Sequence, residues 1–272
     1  MRRSRVLDNI QQGLPSFGVA LHLASASMYE MTSLLGFDAI WVDMEHHGLS
    51  LEHAEQLFRA SRVGDIDIVA RPAKGEFMRM SRLLEIGATG IMYPRCNSAE
   101  EAAEVVKWAK FPPMGQRGCD AAGPDASYQL TPLNDYLKQA NERTFVIIQI
   151  EEAEAVDRAE EIAAVPGVDM LMLGPGDFSI LSGVPGQFDH PKVVDALERV
   201  AAAATKAGKH WAATCGSPEI IQKMADRGGS LMFHGCDQAF VKQGLESVRG
   251  QIEKNTGRKF NTANNSSLSE GE

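Results

Sequence analysis

The chain has 272 residues, 44% hydrophobic and 23% charged, the makeup of a soluble globular protein built as one large domain or two small ones. Its 27 basic and 36 acidic residues leave a net charge of −9, which argues against nucleic acid or an anionic membrane as partner. An anionic metabolite stays open, because a few residues set a site's local field. No apolar run reaches the length of a membrane span, and the basic start Met1-Arg-Arg-Ser-Arg5 is not followed by the apolar core of a secretory signal. Cys96, Cys119, Cys215 and Cys236 lie far apart without zinc-motif pairing, so reduced thiols in a cytoplasmic protein are expected.

In chain order, short apolar runs alternate with stretches of helical periodicity. Strands are expected near Phe17–Leu21, Ala39–Asp43, Asp67–Arg71, Gly90–Pro94, Thr144–Glu151, Val168–Gly174, His210–Thr214 and Ser230–His234. Helices are expected over Leu51–Arg62, Phe77–Ile86, Ala99–Lys110, Ala153–Val165, Pro191–Ala207, Pro218–Arg227 and Gln238–Lys254, with Arg3–Gln12 as a further helix capping the barrel floor. Ser98-Ala-Glu-Glu101 is a capping box, Ser50 and Ser217 stand before early-turn acids, and Gly64, Gly87, Gly167, Gly208 and Gly228 mark helix ends. Eight such units over about 250 residues predict an α/β fold of the (β/α)8 TIM barrel type, spanning residues 1–254 as a single domain. A doubly wound sheet is the competing fold, but no Gly-x-Gly-x-x-Gly turn follows the first strand. Phe111–Gln139 is too long for a simple connection, and an excursion of that length after a barrel strand usually serves a site or an interface. Residues 255–272 read as a disordered polar tail.

Barrel enzymes keep their chemistry at the C-terminal ends of the strands. There stand Asp43-Met-Glu-His-His47, Arg71-Pro72, Gln149 with Glu151, Gly174-Pro-Gly-Asp177, Thr214-Cys-Gly-Ser217 and His234-Gly-Cys-Asp237. Glu151 and Asp177 close consecutive runs of one strand–helix–strand unit, so parallel pairing brings both acids within reach of one cation. Two carboxylates without paired cysteines favour a hard divalent ion, Mg²⁺, Mn²⁺ or Co²⁺; the competing explanation is two acids at helix starts. The Gly174–Asp177 turn suits close backbone approach by an anion, or is a bare tight turn. Arg71, at the end of a buried strand, requires an anion, either a substrate carboxylate or an internal salt bridge. Of His46 and His47, beside two acids, one is expected to face the site and move protons. His22 and His234 read as packed or capping histidines. Lys74 lies in a loop and Lys209 at the wrong strand end, which disfavours lysine-imine chemistry.

Several stretches together resemble the HpcH/HpaI aldolase family, metal-dependent 2-oxo-acid aldolases related to citrate lyase barrels. They are Gly36-Phe-Asp-Ala-Ile-Trp-Val-Asp-Met-Glu-His46, Val69-Ala-Arg-Pro72, Leu83-Leu-Glu-Ile-Gly-Ala-Thr-Gly-Ile-Met-Tyr-Pro94, Phe111-Pro-Pro-Met-Gly-Gln-Arg-Gly118, Gln149-Ile-Glu151 and Gly174-Pro-Gly-Asp177. The resemblance implies a carbon–carbon lyase that reversibly cleaves a 4-hydroxy-2-oxo acid to pyruvate and an aldehyde through a metal-stabilised enolate. It implies Glu151 and Asp177 as metal ligands, and Gln149, Gly176 and Asp177 around the 2-oxo acid. Arg71 would stabilise the enolate, and His46 would be the base. Glu85 stands where the family has an aspartate supporting that histidine. The resemblance further implies a barrel whose last helix is exchanged between subunits of a homo-hexamer, a trimer of dimers. The competing readings are an acyl-CoA lyase of the malyl- or citramalyl-CoA type, with Lys74, Arg79 and Arg82 for the phosphates, and an idle barrel kept as a binding subunit.

Overall fold

A computed structural model describes residues 1–260. Eight parallel strands close into a barrel in sequence order: β1 (Ser16–Ala20), β2 (Ala39–Asp43), β3 (Asp67–Arg71), β4 (Gly90–Tyr93), β5 (Phe145–Ile150), β6 (Met170–Leu173), β7 (His210–Cys215) and β8 (Leu231–Cys236). The expected (β/α)8 barrel is therefore present. The helices are α1 (Arg5–Gln11), α2 (Ala26–Leu34), α3 (Leu51–Ala60), α4 (Phe77–Glu85), α5 (Ala99–Ala109), α6 (Leu133–Arg143), α7 (Ala153–Asp157), α8 (Ala159–Ala163), α9 (Pro175–Leu181), α10 (Pro191–Lys206), α11 (Pro218–Asp226) and α12 (Asp237–Thr256). Ser50, Ser98 and Ser217 each accept the backbone N–H three residues on, as the capping pattern requires.

Side-chain alternation along the strands makes two cores. Ile40, Val42, Ile68, Ala70, Ile148, Ile150, Leu171 and Leu173 face the helices, while Ala39, Val69, Phe145, Ile147, Met170, Met172, Leu231 and Phe233 fill the barrel. Gly18 makes this filling possible: a Cβ there would stand 2.7 Å from the Phe233 ring. At the floor, α1 plugs the barrel. Ser4 donates to Asp67 (2.6 Å) and accepts from the Leu7 N–H, and the Val6 N–H donates to the same carboxylate at 2.8 Å. Burial pushes the Asp67 carboxyl up to about 6, with the Ser4 and Val6 hydrogen bonds opposing it.

Four readings change. α2 went unread because its buried face is Tyr29, Thr32 and Ser33, with no apolar stripe. The expected helix over Ala153–Val165 is two, meeting at Arg158. The Phe111–Gln139 excursion follows a helix, α5, so it lies at the barrel's N-terminal face, away from the strand ends that carry the acids. It contains the start of α6 and is held by buried Arg117, which donates to Asp125 at 2.7 Å and lies over Phe111. The expected tail starts inside α12, which runs to Thr256 and ends at left-handed Gly257; its residues 261–272 lie outside those described. Ser4→Ala removes both a cap and a floor hydrogen bond. It is expected to cost about 1–2 kcal/mol in urea unfolding, and an unchanged midpoint would deny α1 that anchoring role.

Candidate active site

Continuing the inward alternation one step past the apolar layers brings Asp43, Arg71 and Gln149 to the C-terminal rim, where Asp43 and Arg71 are register partners. Arg71 grips Asp43 with both arms, Nε to Oδ1 at 3.0 Å and Nη2 to Oδ2 at 2.8 Å. Its Nη1 donates to Gln149 Oε1 at 3.3 Å, its Nε lies 3.3 Å from Glu45 Oε2, and its guanidinium sits over the Trp41 ring. Burial alone would raise Asp43. The bond and charge from Arg71, with the Glu45 N–H and His47, outweigh it and bring the carboxyl down to about 2. Of the two partners open to Arg71 in the sequence, the internal acid is thus realised.

Glu151 is one residue beyond β5 and on its inward parity. Its side chain is almost wholly buried, and its Oε2 has no hydrogen-bond partner among the described residues. Burial, then the nearby Asp177, pushes this carboxyl up to about 7, with Arg71 opposing. Gly174 permits the arrangement, because a Cβ there would collide with the Glu151 carboxylate and the Gln149 amide. Glu45 also has a buried oxygen without a hydrogen bond, and burial raises its pKa. Four carboxylates therefore share the rim with one guanidinium that Asp43 already neutralises. A buried carboxylate oxygen with no donor and a second acid beside it fit an oxygen-loving divalent ion. Glu151 and Asp177 would hold it.

His46 lines the same cavity, half exposed, with Nε2 3.6 Å from Glu45 Oε2 and 4.0 Å from Asp177 Oδ2. His47 instead turns to Asp43, Nδ1 to Oδ2 at 3.1 Å, and stacks on His22 with ring centroids 4.0 Å apart. One histidine of the pair faces the cavity, and it is the earlier one. His22, Asp43 and His47 place three ligand atoms within 4.8 Å of one another. Both oxygens of that aspartate already serve Arg71, whose charge opposes a second cation there, so the trio is better read as a bolster holding Arg71. His234 bonds the Cys215 carbonyl at 2.7 Å, the packed role expected of it.

Gly176 lies in the first turn of α9, whose N–H groups lack intrahelical partners. Glu85 stands elsewhere. β3 and β4 are parallel, so α4 runs back toward the strand starts and leaves Glu85 at the N-terminal face. There it pairs with Arg82 at 3.3 Å and its carbonyl accepts the Asp125 N–H. Within one chain it does not support His46; Glu45 and Asp177 are the nearer acids. Sequence reasoning missed the roles of Asp43, Glu45 and Trp41. The stride of two from Ala39 would have aimed Trp41 and Asp43 inward beside Arg71.

The family model for HpcH/HpaI aldolase/citrate lyase matches residues 17–237. The chain belongs to this family. A 2-dehydro-3,6-dideoxy-6-sulfogluconate aldolase of Pseudomonas putida is 34% identical over 82% of this chain and 87% of its own. A 4-hydroxy-2-oxo-heptane-1,7-dioate aldolase of Salmonella paratyphi C is 29% identical over 91% and 95%. Among solved structures, an HpcH/HpaI aldolase from Desulfitobacterium hafniense superposes with a TM-score of 0.88 at 26% identity, covering 93% of this chain and 98% of that one. In this family setting the acid-rich rim lies within the matched span.

A proton on Glu151 competes with a cation. Affinity for Mn²⁺, measured by calorimetry, is expected to rise by up to about tenfold per pH unit below the Glu151 value of about 7 and to level off above it. Glu151→Gln is expected to abolish tight binding, and undiminished binding by that variant would remove Glu151 from the ligand set.

Proposed function

We propose that the protein is a divalent-metal-dependent aldolase, reversibly cleaving a 4-hydroxy-2-oxo acid to pyruvate or a related 2-oxo acid and an aldehyde. The observation that carries this reading is the buried Glu151 carboxylate beside Asp177, with no hydrogen-bond partner for Oε2 among the described residues, in one cavity with Arg71, Gln149 and His46. A cation held by Glu151 and Asp177 (Mg²⁺, Mn²⁺ or Co²⁺) would supply Lewis-acid polarisation of the 2-oxo group.

The chain's own residues do the rest. Gln149 is oriented by Arg71, and its amide N–H groups and the free first-turn N–H groups at Gly176 bind the 2-oxo acid. In cleavage His46 accepts the C4 hydroxyl proton, the C3–C4 bond breaks, and its electron pair moves onto the C2 oxygen as an enolate. Arg71 stabilises that charge from a position Asp43, Glu45 and Trp41 hold fixed. Protonation at C3 releases pyruvate, and the aldehyde leaves. Within one chain Glu85 does not join this set, because the chain carries it to the opposite barrel end.

The acyl-CoA alternative lacks its basic patch. Lys74 pairs with Glu101, Arg79 with Glu76 and Arg82 with Glu85, so each candidate phosphate ligand already faces an acid. Assembly as a homo-hexamer with exchanged last helices is part of the same proposal. It is supported by α12, which buries only Asp237 and exposes Phe240, Val241, Leu245, Val248 and Ile252 along its length. The four free cysteines support a cytoplasmic setting. No helix among the described residues is long and apolar enough to cross a membrane.

Pyruvate with a small aldehyde, assayed with and without EDTA, tests the reading: turnover should vanish on chelation and return with Mn²⁺, and metal-independent turnover would contradict it. His46→Ala should lower kcat by about 100-fold or more, and His47→Ala far less. Equal losses would overturn the assignment of the base.

A further inference from the structure

The cavity that holds the acids does not stop at them. Its volume is about 580 Å³, in the range of about 300–1,000 Å³ typical of sites for drug-sized ligands and well beyond a small 2-oxo acid. From Glu151 and Asp177 it runs past Leu173 and Ala213 into a groove between α10 and α11. There Val194 and Leu197 of α10 and Ile220 and Met224 of α11 line it. The groove exists because α10 packs chiefly on α8, β6 and β7, and α11 on β7 and β8, rather than on each other. A second cavity of about 440 Å³ continues it, sharing Leu197, Met224 and Arg227 with the first.

The charges at the groove do not make an anion site. Arg227 is already spent on Glu198 at 2.7 Å, which leaves Lys223 at the edge of an apolar lining. In the proposed reaction the 2-oxo acid occupies the end of the cavity near Glu151, so the partner bonded to it at C4 is the fragment that extends along the groove.

We propose that this groove seats the body of the aldehyde partner, and that the partner is uncharged and apolar over several carbons. The proposal rests on the aldolase reading. Burying each added methylene in such a groove should strengthen recognition roughly fourfold. An aldehyde ending in a carboxylate would bring that charge among Leu197, Ile220 and Met224, where Lys223 is the one lining cation not already paired with an acid among the described residues.

The test uses the full-length protein loaded with Mn²⁺, pyruvate as donor, and acetaldehyde, hexanal and succinic semialdehyde as acceptors. Expected is a kcat/KM for hexanal about tenfold or more above that for acetaldehyde, and above that for succinic semialdehyde. Leu197→Asp should erase most of the hexanal advantage, whereas Leu197→Met, which keeps volume and apolarity, should retain it. A flat response to chain length, a preference for the carboxylated aldehyde, or an unaltered ratio in Leu197→Asp would overturn the proposal. Calorimetric binding of hexan-1-ol and butan-1-ol, unreactive mimics, adds a readout free of turnover. Tighter binding of hexan-1-ol, weakened by Leu197→Asp, supports the groove, and no binding refutes it. Binding of hexan-1-ol in a protein that turns over no aldehyde would sink the aldolase reading while leaving the apolar site standing.

Discussion

Uncompensated negative charge at the C-terminal rim is the constraint on which the rest of the site depends. Asp43, Glu45, Glu151 and Asp177 crowd the strand ends, and the one guanidinium among them is held bidentately by Asp43. With Arg71 committed to Asp43, Glu151 Oε2 has no hydrogen-bond partner among the described residues, and burial and Asp177 raise the carboxyl's pKa against the charges of Arg71 and Arg95. A protein can bury such a group neutral, or it can supply a cation. The missing hydrogen bond at Oε2 and the room secured by Gly174 favour the cation. Asp43 fixes Arg71 in place without substrate.

The barrel turns this electrostatic arrangement into fixed geometry. One alternation along β2, β3 and β5 runs from apolar filling, through Val69 and Ile147, to Arg71 and Gln149 at the rim. The same packing that stabilises the fold therefore sets the directions of the polar groups above it. A bolster of His22, His47 and Asp43 stands behind Arg71, while His46 remains on the cavity side. Burial and the neighbouring His47 ring hold His22 below the ordinary histidine range.

Strands were legible in the sequence because each is a short, largely buried run; β2 and β3 match their expected bounds. Helices with an apolar stripe, such as α3 and α4, were legible for the same reason, whereas α2 packs through Tyr, Thr and Ser and shows no stripe. Glu151, Asp177, Arg71, Gln149 and His46 were legible as a group because they close or follow strands, and the structure brings them to one cavity. Glu85 and the Phe111–Gln139 segment show what such reading lacks. Their place depends on which barrel end the chain has reached, and both follow or end helices that return it to the floor. The stride of two turns both Asp43 and Arg71 inward, but their pairing depends on register across two strands, which spacing within one strand does not encode.

In the proposed reaction this rim makes an enolate with the help of a cation at Glu151 and Asp177. Proton–deuterium exchange at the pyruvate methyl group, followed by NMR in deuterated water with no aldehyde present, reads that step alone. Exchange is expected with Mg²⁺ bound, and its loss on chelation and in Glu151→Ala. Exchange that persists after chelation, or its absence in the Mg²⁺-loaded protein, would contradict the claim.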